Sequence, residues 1–296
     1  MSIGTYRVFA AVVERGSFVD AAEQLHLTPS AISHAIAKLE EALGLALFHR
    51  TRSGAALTSD GELLLPSVLD ILKAEERLNQ NLANIKGLEY GKVGIGTFDS
   101  VCINYMPDIV RSFRARHAGI EIGVYQGGYD DILNWLYSGF ADLGFISRTV
   151  LRDDLETTPL FEDSMVCLTA REFTPANGSS ITAKDVKNQK IIYQSNGYDA
   201  ETEVILRRFG KGEANRFAVA SDQSNIALVE SGLGICFMPR LVLRRITHNA
   251  AVYPVKPSFK RSVVLATVKN RPLSFAAMKM RDHIAAFFRD TDRSLA

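Results

Sequence analysis

The spacing of apolar residues divides the chain into a helical N-terminal part and a longer part in which strands and helices alternate. Apolar residues recur at helical spacing over 4–14, 18–25 and 29–43, which predicts three helices. Ser17 and Thr28 precede the second and third helices and are residue types that favour N-caps. Because only His26 and Leu27 separate these two helices, the helices must turn sharply against each other.

The third helix combines an apolar stripe with a face of short side chains. In its sequence, TPSAISHAIAKLE at 28–40, the stripe consists of Ile32, Ile36 and Leu39. The short residues of the other side are Ser30, Ser33 and Ala37. Among them, His34 and Lys38 supply the long polar side chains. A helix that lies in the major groove of DNA needs short residues for close approach and a few long ones to reach bases and phosphates. The alternative is an ordinary helical hairpin whose small residues pack against another helix.

Two short extended pieces around a glycine follow at 48–57, and a long helix follows them. In the hairpin, Arg50 and Arg52 alternate onto one face, where guanidinium groups suit phosphates or a minor groove. With the three helices, this hairpin forms a winged helix-turn-helix pattern. The long helix, which we place at 59–88, has an apolar seam with spacings of three and four that includes Leu65, Val68, Leu72, Leu78, Leu82 and Ile85. A helix of this length cannot bury its seam alone, so the seam predicts a partner helix.

After Gly91 the pattern changes to apolar runs of strand length that alternate with helical stretches. The predicted strands are at 93–98, 120–126, 141–146, 164–169, 190–194, 217–221 and 234–239. The predicted helices are at 104–117, 130–137, 200–209, 223–231 and 273–289. This alternation predicts an α/β, doubly wound fold with parallel sheets and helices on both faces. Such sheets bind ligands where the carboxyl ends of strands meet helix N-termini.

Charge and cysteine content limit the function classes. The net charge is +1, and residues 1–60 hold five Lys/Arg against six Asp/Glu, so DNA binding has to rest on the placement of charge. The three cysteines, Cys102, Cys167 and Cys236, form no CxxC or Cys/His cluster, which predicts no metal site and no cofactor and fits a reducing compartment.

The sequence also predicts the cellular compartment and argues against enzymatic activity. The N-terminus lacks the pattern of a signal peptide, and no apolar run is long enough to span a bilayer. We therefore expect a cytoplasmic protein with no membrane partner. No Ser/His/Asp or paired-carboxylate arrangement can be argued from the sequence, so we expect no enzymatic activity.

Residues 17–62 resemble the winged helix-turn-helix of LysR-type transcriptional regulators. The matching segments are T-P-S-A-I-S at 28–33, L-E-E-x-L-G at 39–44, L-F-x-R at 47–50 and L-T-x-x-G at 57–61. Looser matches continue through the chain at 91–96, 139–145 and 231–239. The resemblance implies a DNA-binding domain at 1–58, a dimerisation helix at 59–88 and an effector-binding domain at 91–296. The last would be like a type 2 periplasmic binding protein, with a first lobe at 91–162 and 266–296 and a second at 163–265.

The resemblance also implies site residues. Those it places at DNA are Thr28, Pro29, Ser30, Ser33, His34, Lys38, Arg50 and Arg52. The position of His34 is often Arg in the family, so a direct guanine contact is not carried over. Those it places around an effector between the lobes are Thr97, Ser100, Gln126, Ser147, Asn196 and Gln223. Arg148 is the nearest candidate counter-charge for an acid.

The implied partners are an inverted-repeat site on double-stranded DNA, further copies of the chain in a homodimer or homotetramer, RNA polymerase, and a small polar metabolite that carries a carboxylate. Four acids fall near predicted helix starts, where capping and complementarity to the helix dipole are the favoured interpretation: Asp99, Asp130, Asp199 and Asp222. If one of them faced the cleft, it would favour a zwitterionic or cationic effector. Two alternatives stay open, namely a regulator of this type that is controlled by cysteine oxidation, and a non-regulatory solute-binding α/β protein.

Overall fold

The computed structural model describes residues 2–51, 54–85, 90–187, 189–194, 200–210, 213–219 and 221–295. The chain forms two units, one made of residues 1–88 with 137–140, and the other made of residues 89–136 with 141–296. None of the described helices is both long and apolar enough to cross a membrane.

The first unit contains the predicted helices and hairpin. Its elements are α1 (Ile3–Arg15), α2 (Phe18–Leu25), α3 (Pro29–Leu43), β1 (Phe48–Thr51), β2 (Gly54–Leu57) and α4 (Ser59–Ile85). Both predicted N-caps are confirmed, because Ser17 Oγ accepts from Asp20 N at 3.3 Å and Thr28 Oγ1 accepts from Ala31 N at 3.2 Å. The sharp turn between α2 and α3 passes through His26, whose φ of 54° lies in the left-handed region.

The core of this unit joins four helices to the hairpin. The predicted stripe of α3, formed by Ile32, Ile36 and Leu39, is at most 2% exposed, so the helix is held by this side. The ring of Phe48 in β1 lies 5.3 Å from that of Phe9 and 5.7 Å from that of Phe18. The hairpin is therefore anchored to the first two helices by aromatic packing.

The start of α4 explains the L-T-x-x-G motif at 57–61. Thr58 Oγ1 donates to Ala46 O at 2.7 Å and accepts from Gly61 N at 3.0 Å. Gly61 lies so close to the chain before the hairpin that a Cβ there would stand 2.4 Å from the carbonyl oxygen of Leu47. The glycine thus permits a close backbone approach that fixes where α4 begins.

The second unit is an α/β structure of two lobes. Its strands are β3 (Gly91–Thr97), β4 (Ile120–Gln126), β5 (Leu143–Ser147), β6 (Leu155–Thr169), β7 (Lys190–Gln194), β8 (Glu213–Val219), β9 (Cys236–Pro239), β10 (Ala251–Pro254) and β11 (Lys260–Val268). Its helices are α5 (Asp99–Asn104), α6 (Met106–Arg114), α7 (Tyr129–Ser138), α8 (Ala183–Val186), α9 (Ala200–Phe209), α10 (Asp222–Glu230) and α11 (Phe275–Leu295). Short 3-10 turns lie at Arg148–Val150 and Arg240–Arg245.

The main sheet is mixed, with strand order β10-β6-β11-β5-β3-β4 and with β9 also paired to β6. Strand β3 is parallel to β4 and β5, as predicted, whereas β11 is antiparallel to both β5 and β6. The prediction of parallel sheets throughout was therefore wrong for β6 and β9, and β10 and β11 were not predicted as strands. Apolar spacing identifies a strand, but it does not give the direction of its neighbour.

Strands β6 and β11 connect the two lobes. Residues 155–164 of β6 pair with β11 in the first lobe, which also contains β3, β4 and β5. Residues 165–169 continue into the second lobe and pair with β9 and β10, and the parallel pair β7 and β8 completes that lobe. Strand β11 is already back in the first-lobe sheet at Lys260, before the return at 266 that we expected.

The helix predicted at 104–117 is α6, which is shorter, and it is preceded by a separate helix, α5, that was not predicted; the two helices meet at Tyr105. Pro107 lies in the first turn of α6. Within a continuous helix its ring would clash with the carbonyl four residues earlier and it could not donate a hydrogen bond. The proline therefore breaks the helix, and α5 begins directly after β3.

We expect Gly61→Ala to lower the stability of the first unit by about 1–3 kcal/mol, because the new Cβ would strike the Leu47 carbonyl. Scanning calorimetry of the full chain should show a transition lowered by several degrees, on the order of what such a loss produces in a small domain. The control is Gly4→Ala inside α1, where the nearest atom to the added Cβ is Ser2 Oγ at 3.8 Å; it should be neutral or stabilising. Equal midpoints for the two variants would contradict this account of the motif.

Candidate functional site

The side of α3 opposite its buried stripe is open to solvent. Of the α3 residues predicted to contact DNA, Thr28, Pro29, Ser30, His34 and Lys38 are exposed and Ser33 is half-buried. Ala37 is exposed among them. The structure therefore leaves a face of short side chains, with one imidazole and one ammonium group, free for contact.

The N-terminus of α3 brings two hydroxyl groups together. Thr28 Oγ1 caps the helix and lies 3.0 Å from Ser30 Oγ. The free N–H groups at the start of a helix favour an anionic group such as a phosphate. This end of α3 can therefore orient the helix on a phosphate backbone, while the residues one turn later face outward.

The hairpin of β1 and β2 is tied to the turn between α1 and α2, where Ala55 N donates to Gly16 O at 2.7 Å. The backbone of Arg50 lies in β1 and pairs with Ala55. The side chain of Arg50 and the whole of Arg52 lie outside the described residues, so their assignment to DNA stays a prediction.

The predicted effector residues fall into a buried group and an exposed group. Thr97, Ser100 and Ser147 are buried at the carboxyl ends of β3 and β5 and in α5. Gln126, Arg148 and Gln223 are exposed, and Asn196 lies outside the described residues. Gln126 Nε2 donates to Asp99 Oδ1 at 2.9 Å, which joins the end of β4 to the start of α5.

Arg261 and Asp163 are two residues of this region that the sequence did not reveal. Arg261 is 4% exposed, and its Nη2 lies 2.9 Å from both Asp163 Oδ2 and Ser100 Oγ. Its guanidinium carbon also lies 4.6 Å from the centre of the Phe98 ring. Asp163 Oδ1 accepts from Leu241 N at 3.1 Å. This ion pair stands where β6 and β11 pass between the lobes.

The charges of this centre act on one another. Burial lowers the pKa of Arg261, but the opposing effects of Tyr129 and Asp163 leave it above its ordinary value. Burial is likewise the main reason that the pKa of Tyr129 is raised. A guanidinium group stays protonated in proteins, so Arg261 is a fixed positive charge beneath the cleft.

Asp222 does not cap α10, but it lies in the first turn of this helix, where a negative charge complements the helix dipole as expected. The N-cap of α10 is Ser221, whose Oγ accepts from Ser224 N at 3.2 Å. The pKa of Asp222 is raised to about 6, mainly by burial and also by the charge of Asp99, while the charge of Arg261 opposes this rise. Asp99 of the first lobe and Asp222 of the second are therefore close enough for their charges to interact. Asp130 is exposed in the first turn of α7, and Asp199 lies outside the described residues.

Cys167 and Cys236 are poorly arranged for a disulfide with each other. Cys167 pairs with Phe237, and Leu168 pairs with Cys236, between β6 and β9. Cys167 packs into one apolar cluster of the second lobe, while Cys236 packs into another. Because successive side chains of a strand point to opposite faces of the sheet, the two thiols point away from each other. Burial also raises the pKa of both thiols, which disfavours the reactive thiolate.

Two family models match the chain. One is described as "Bacterial regulatory helix-turn-helix protein, lysR family" and matches residues 3–62. The other is described as "LysR substrate binding domain" and matches residues 86–289. Among curated proteins, the uncharacterized HTH-type transcriptional regulator YvbU of Bacillus subtilis (strain 168) is 28% identical over 280 residues, which cover 94% of this chain and 95% of YvbU.

Solved structures share the fold over nearly the whole chain. A full-length OxyR variant from Pseudomonas aeruginosa is 19% identical with a TM-score of 0.74, covering 96% of this chain and 98% of that one. Full-length CbnR complexed with its target DNA is 18% identical with a TM-score of 0.67, covering 96% of this chain and 99% of that one. At such identities the likeness concerns the fold alone.

The raised pKa of Asp222 predicts a pH-dependent stability. The carboxyl group of Asp222 binds a proton more tightly in the folded state than in the unfolded state. Its protonation therefore stabilises the folded state below about pH 4, and this stabilisation is lost as pH rises through about 6. Between about pH 4 and pH 7, the free energy of unfolding of Asp222→Asn should therefore rise relative to that of wild type by about 2–3 kcal/mol, at roughly 1.4 kcal/mol per pKa unit. Urea unfolding of both proteins across this range measures the difference. The control Gln223→Ala changes an exposed neighbour without a titrating group, and its difference from wild type should not vary with pH. If the difference in stability between Asp222→Asn and wild type also did not vary with pH, the raised pKa of Asp222 would be contradicted.

Proposed function

The chain belongs to the LysR family of transcriptional regulators, and on this premise we propose how its described surfaces act: α3 recognises DNA, α4 joins two copies, and a small molecule binds between the lobes of the second unit. The match of residues 3–62 to the helix-turn-helix model leaves the non-regulatory solute-binding alternative without support.

One observation carries the proposal for α3, namely that its apolar stripe is buried while its short side chains are exposed. Such a helix can lie deep in a major groove, because no long side chain holds its backbone away from the base edges. Lys38 and His34 then contact bases or phosphates, and the N-terminus of α3 contacts the phosphate backbone of the DNA. The inferred contacts are Thr28, Pro29, Ser30, Ser33, His34 and Lys38, together with Arg50 and Arg52 of the hairpin.

Ala37→Leu tests this fit, because it adds bulk to the short face without burying or exposing any other group. We expect its affinity for promoter DNA beside the protein's own reading frame to fall about tenfold or more, a loss of about 1.4 kcal/mol or more. Gel-shift titrations with the full chain measure this affinity. Ala42→Leu is the matched control, since Ala42 is also exposed on α3 but lies about 140° around the helix from Ala37. Wild-type affinity in both variants would reject the groove-facing assignment.

The exposed apolar residues of α4 support a dimer. Leu78, Leu82 and Ile85 follow one another at spacings of four and three, and Leu78 and Ile85 are 58% and 81% exposed. Large apolar side chains in a continuous stripe on a long helix are typical of a helix pair. We infer that a second copy of α4 covers this stripe, and that the two-fold symmetry of the pair requires an inverted-repeat DNA site. Association of dimers into a tetramer is the further state that the family resemblance implies.

We expect Leu78→Glu combined with Leu82→Glu to weaken the dimer, because two carboxylates would have to be buried in the helix pair. Sedimentation velocity should show a shift toward monomer at concentrations where the wild type is dimeric. Asn79→Glu is the control, because it adds a carboxylate at an exposed position between these residues. If the double variant sediments like this control, α4 does not form the interface.

The effector is proposed to bind at the carboxyl ends of β3 and β5, in the cleft between the two lobes. Buried polar groups converge there, among them Ser100 and Arg261. Thr97, Gln126, Ser147, Arg148, Asn196 and Gln223 are the remaining inferred contacts. A ligand that binds one arrangement of the lobes more tightly shifts the population toward it. We propose that this shift alters how the dimers are arranged, and with it the spacing of the α3 helices on DNA.

Cysteine oxidation receives no comparable support from the geometry. Cys167 and Cys236 lie on opposite faces of the sheet, and the likeness to OxyR concerns the fold alone. A small-molecule effector is therefore the form of control that the site favours.

A further inference from the structure

Acidic side chains reach the cleft from both lobes. Asp99 is the first residue of α5 in the first lobe, and Asp222 is the first residue of α10 in the second. Glu201, in the first turn of α9, belongs to the second lobe and is 5% exposed. Its charge acts on Tyr129 of α7 and on Arg261 of β11, and α9 contacts the 3-10 turn at 148–150. Arg261 also acts on Asp222, whose pKa is raised in part by Asp99, so acids from three helices lie in the space around Arg261.

The described cations that face this space do not balance these acids. Arg261 already forms an ion pair with Asp163 at 2.9 Å. Arg148 begins the 3-10 turn beside α9, but it is exposed to solvent, where its interactions are weakened. A ligand whose only charge is negative would therefore enter a cleft that already holds an excess of negative charge.

Two buried atoms at this place lack a hydrogen-bond partner among the described residues. Glu201 Oε1 is an acceptor, and Arg261 Nε is a donor. Both side chains are more than nine-tenths buried. A buried polar atom without a partner costs free energy, and a ligand that carries both a donor and an acceptor would remove both costs. An N–H donor suits Glu201, and a carboxylate or carbonyl oxygen suits Arg261.

We propose that the effector of this protein carries a protonated nitrogen, which Asp99, Asp222 and Glu201 bind, and that it is a zwitterion or a cation rather than a simple acid. In a zwitterion of the amino-acid type, the ammonium group meets these acids and the carboxylate meets Arg261 Nε. This proposal rests on the proposed function, since it specifies the ligand of the same cleft. It retains the carboxylate expected from the sequence but makes the positive charge the deciding feature.

Related probes that differ in their charged groups test the proposal on the full chain. Each set contains an amine, an amino acid and an acid without nitrogen: phenethylamine, phenylalanine and 3-phenylpropanoate; cadaverine, lysine and hexanoate; butylamine, 4-aminobutanoate and butanoate. The other proteinogenic amino acids extend the panel. We expect at least one nitrogen-bearing probe to raise Tm by about 2 °C or more, because a ligand specific for the folded state stabilises it. The acids without nitrogen should leave Tm unchanged. Stabilisation by these acids alone, or by no probe, overturns the proposal.

Variants then locate the binding site of the best nitrogen-bearing probe. Glu201→Gln, Asp222→Asn and Asp99→Asn keep the size of each side chain and should each weaken its affinity about tenfold or more by calorimetric titration, which corresponds to about 1.4 kcal/mol. Asp282→Asn removes the same charge from an exposed position on α11 and should leave the affinity unchanged. The Tm without probe shows whether each variant folds. Wild-type affinity in all three folded cleft variants overturns the proposal.

The effect of the probes on DNA binding separates this proposal from the proposed function. If an acid without nitrogen alters the gel shift and binds more tightly to Asp222→Asn or Glu201→Gln, the cleft is an effector site but the charge assignment is wrong. If no probe shifts Tm or alters the gel shift, the charge assignment is rejected and the effector half of the proposed function loses its support. A nitrogen-bearing probe that alters the gel shift in wild type but not in Glu201→Gln supports both.

Discussion

The buried ion pair between Arg261 and Asp163 is the contact on which the two-lobed unit depends. Arg261 reaches Ser100 and the Phe98 ring in the first lobe, and Asp163 accepts from the backbone of Leu241 in the second. Either charge alone in this interior would lose several kcal/mol of solvation without a partner. Strands β6 and β11 hold this pair in register where they pass between the lobes. The base of the cleft is therefore fixed by Arg261 and Asp163, which we call its floor, while its sides, which we call its walls, belong to the separate cores of the two lobes.

That floor determines the chemistry of the cleft above it. Arg261 is hydrogen-bonded to Asp163 and Ser100, and Tyr129 and Glu201 also act on its charge, so this one cation is shared among several groups. Burial and the neighbouring Asp99 disfavour the ionised form of Asp222, and a bound cation would favour it. Approach of the two lobes brings these acids together, and a positive ligand would lower the repulsion that opposes the approach. Charge in the walls can thereby couple ligand binding to lobe arrangement.

The parts of the fold that local sequence determines were predictable, and those set by distant partners were not. The stripe of α3 and the caps at Ser17 and Thr28 depend on residues within one or two helical turns, so spacing alone reveals them. Arg261 carries no such signal, because a charged residue at the start of an apolar strand is usually a surface residue. Its partner Asp163 lies far away in the sequence, and only the antiparallel pairing of β6 with β11 brings them together. This pairing could not be predicted, because β11 was not identified as a strand and because apolar alternation does not encode the direction of a neighbouring strand.

Because the DNA-binding face carries few positive charges, a small coupling free energy between ligand binding and DNA binding is enough for regulation. Residues 1–60 have no excess of positive charge, and phosphate neutralisation supplies much of the affinity of a protein for DNA. A single copy of α3 should therefore bind weakly, and joined copies gain affinity only when their spacing matches the spacing of the half-sites. Allosteric coupling is typically about 1–3 kcal/mol. A coupling free energy of this size is sufficient if it determines whether a second copy of α3 can bind its half-site, since the effective concentration of a tethered copy depends steeply on geometry. Weak individual contacts and a cleft tuned by a few acids are thus consistent parts of one regulator.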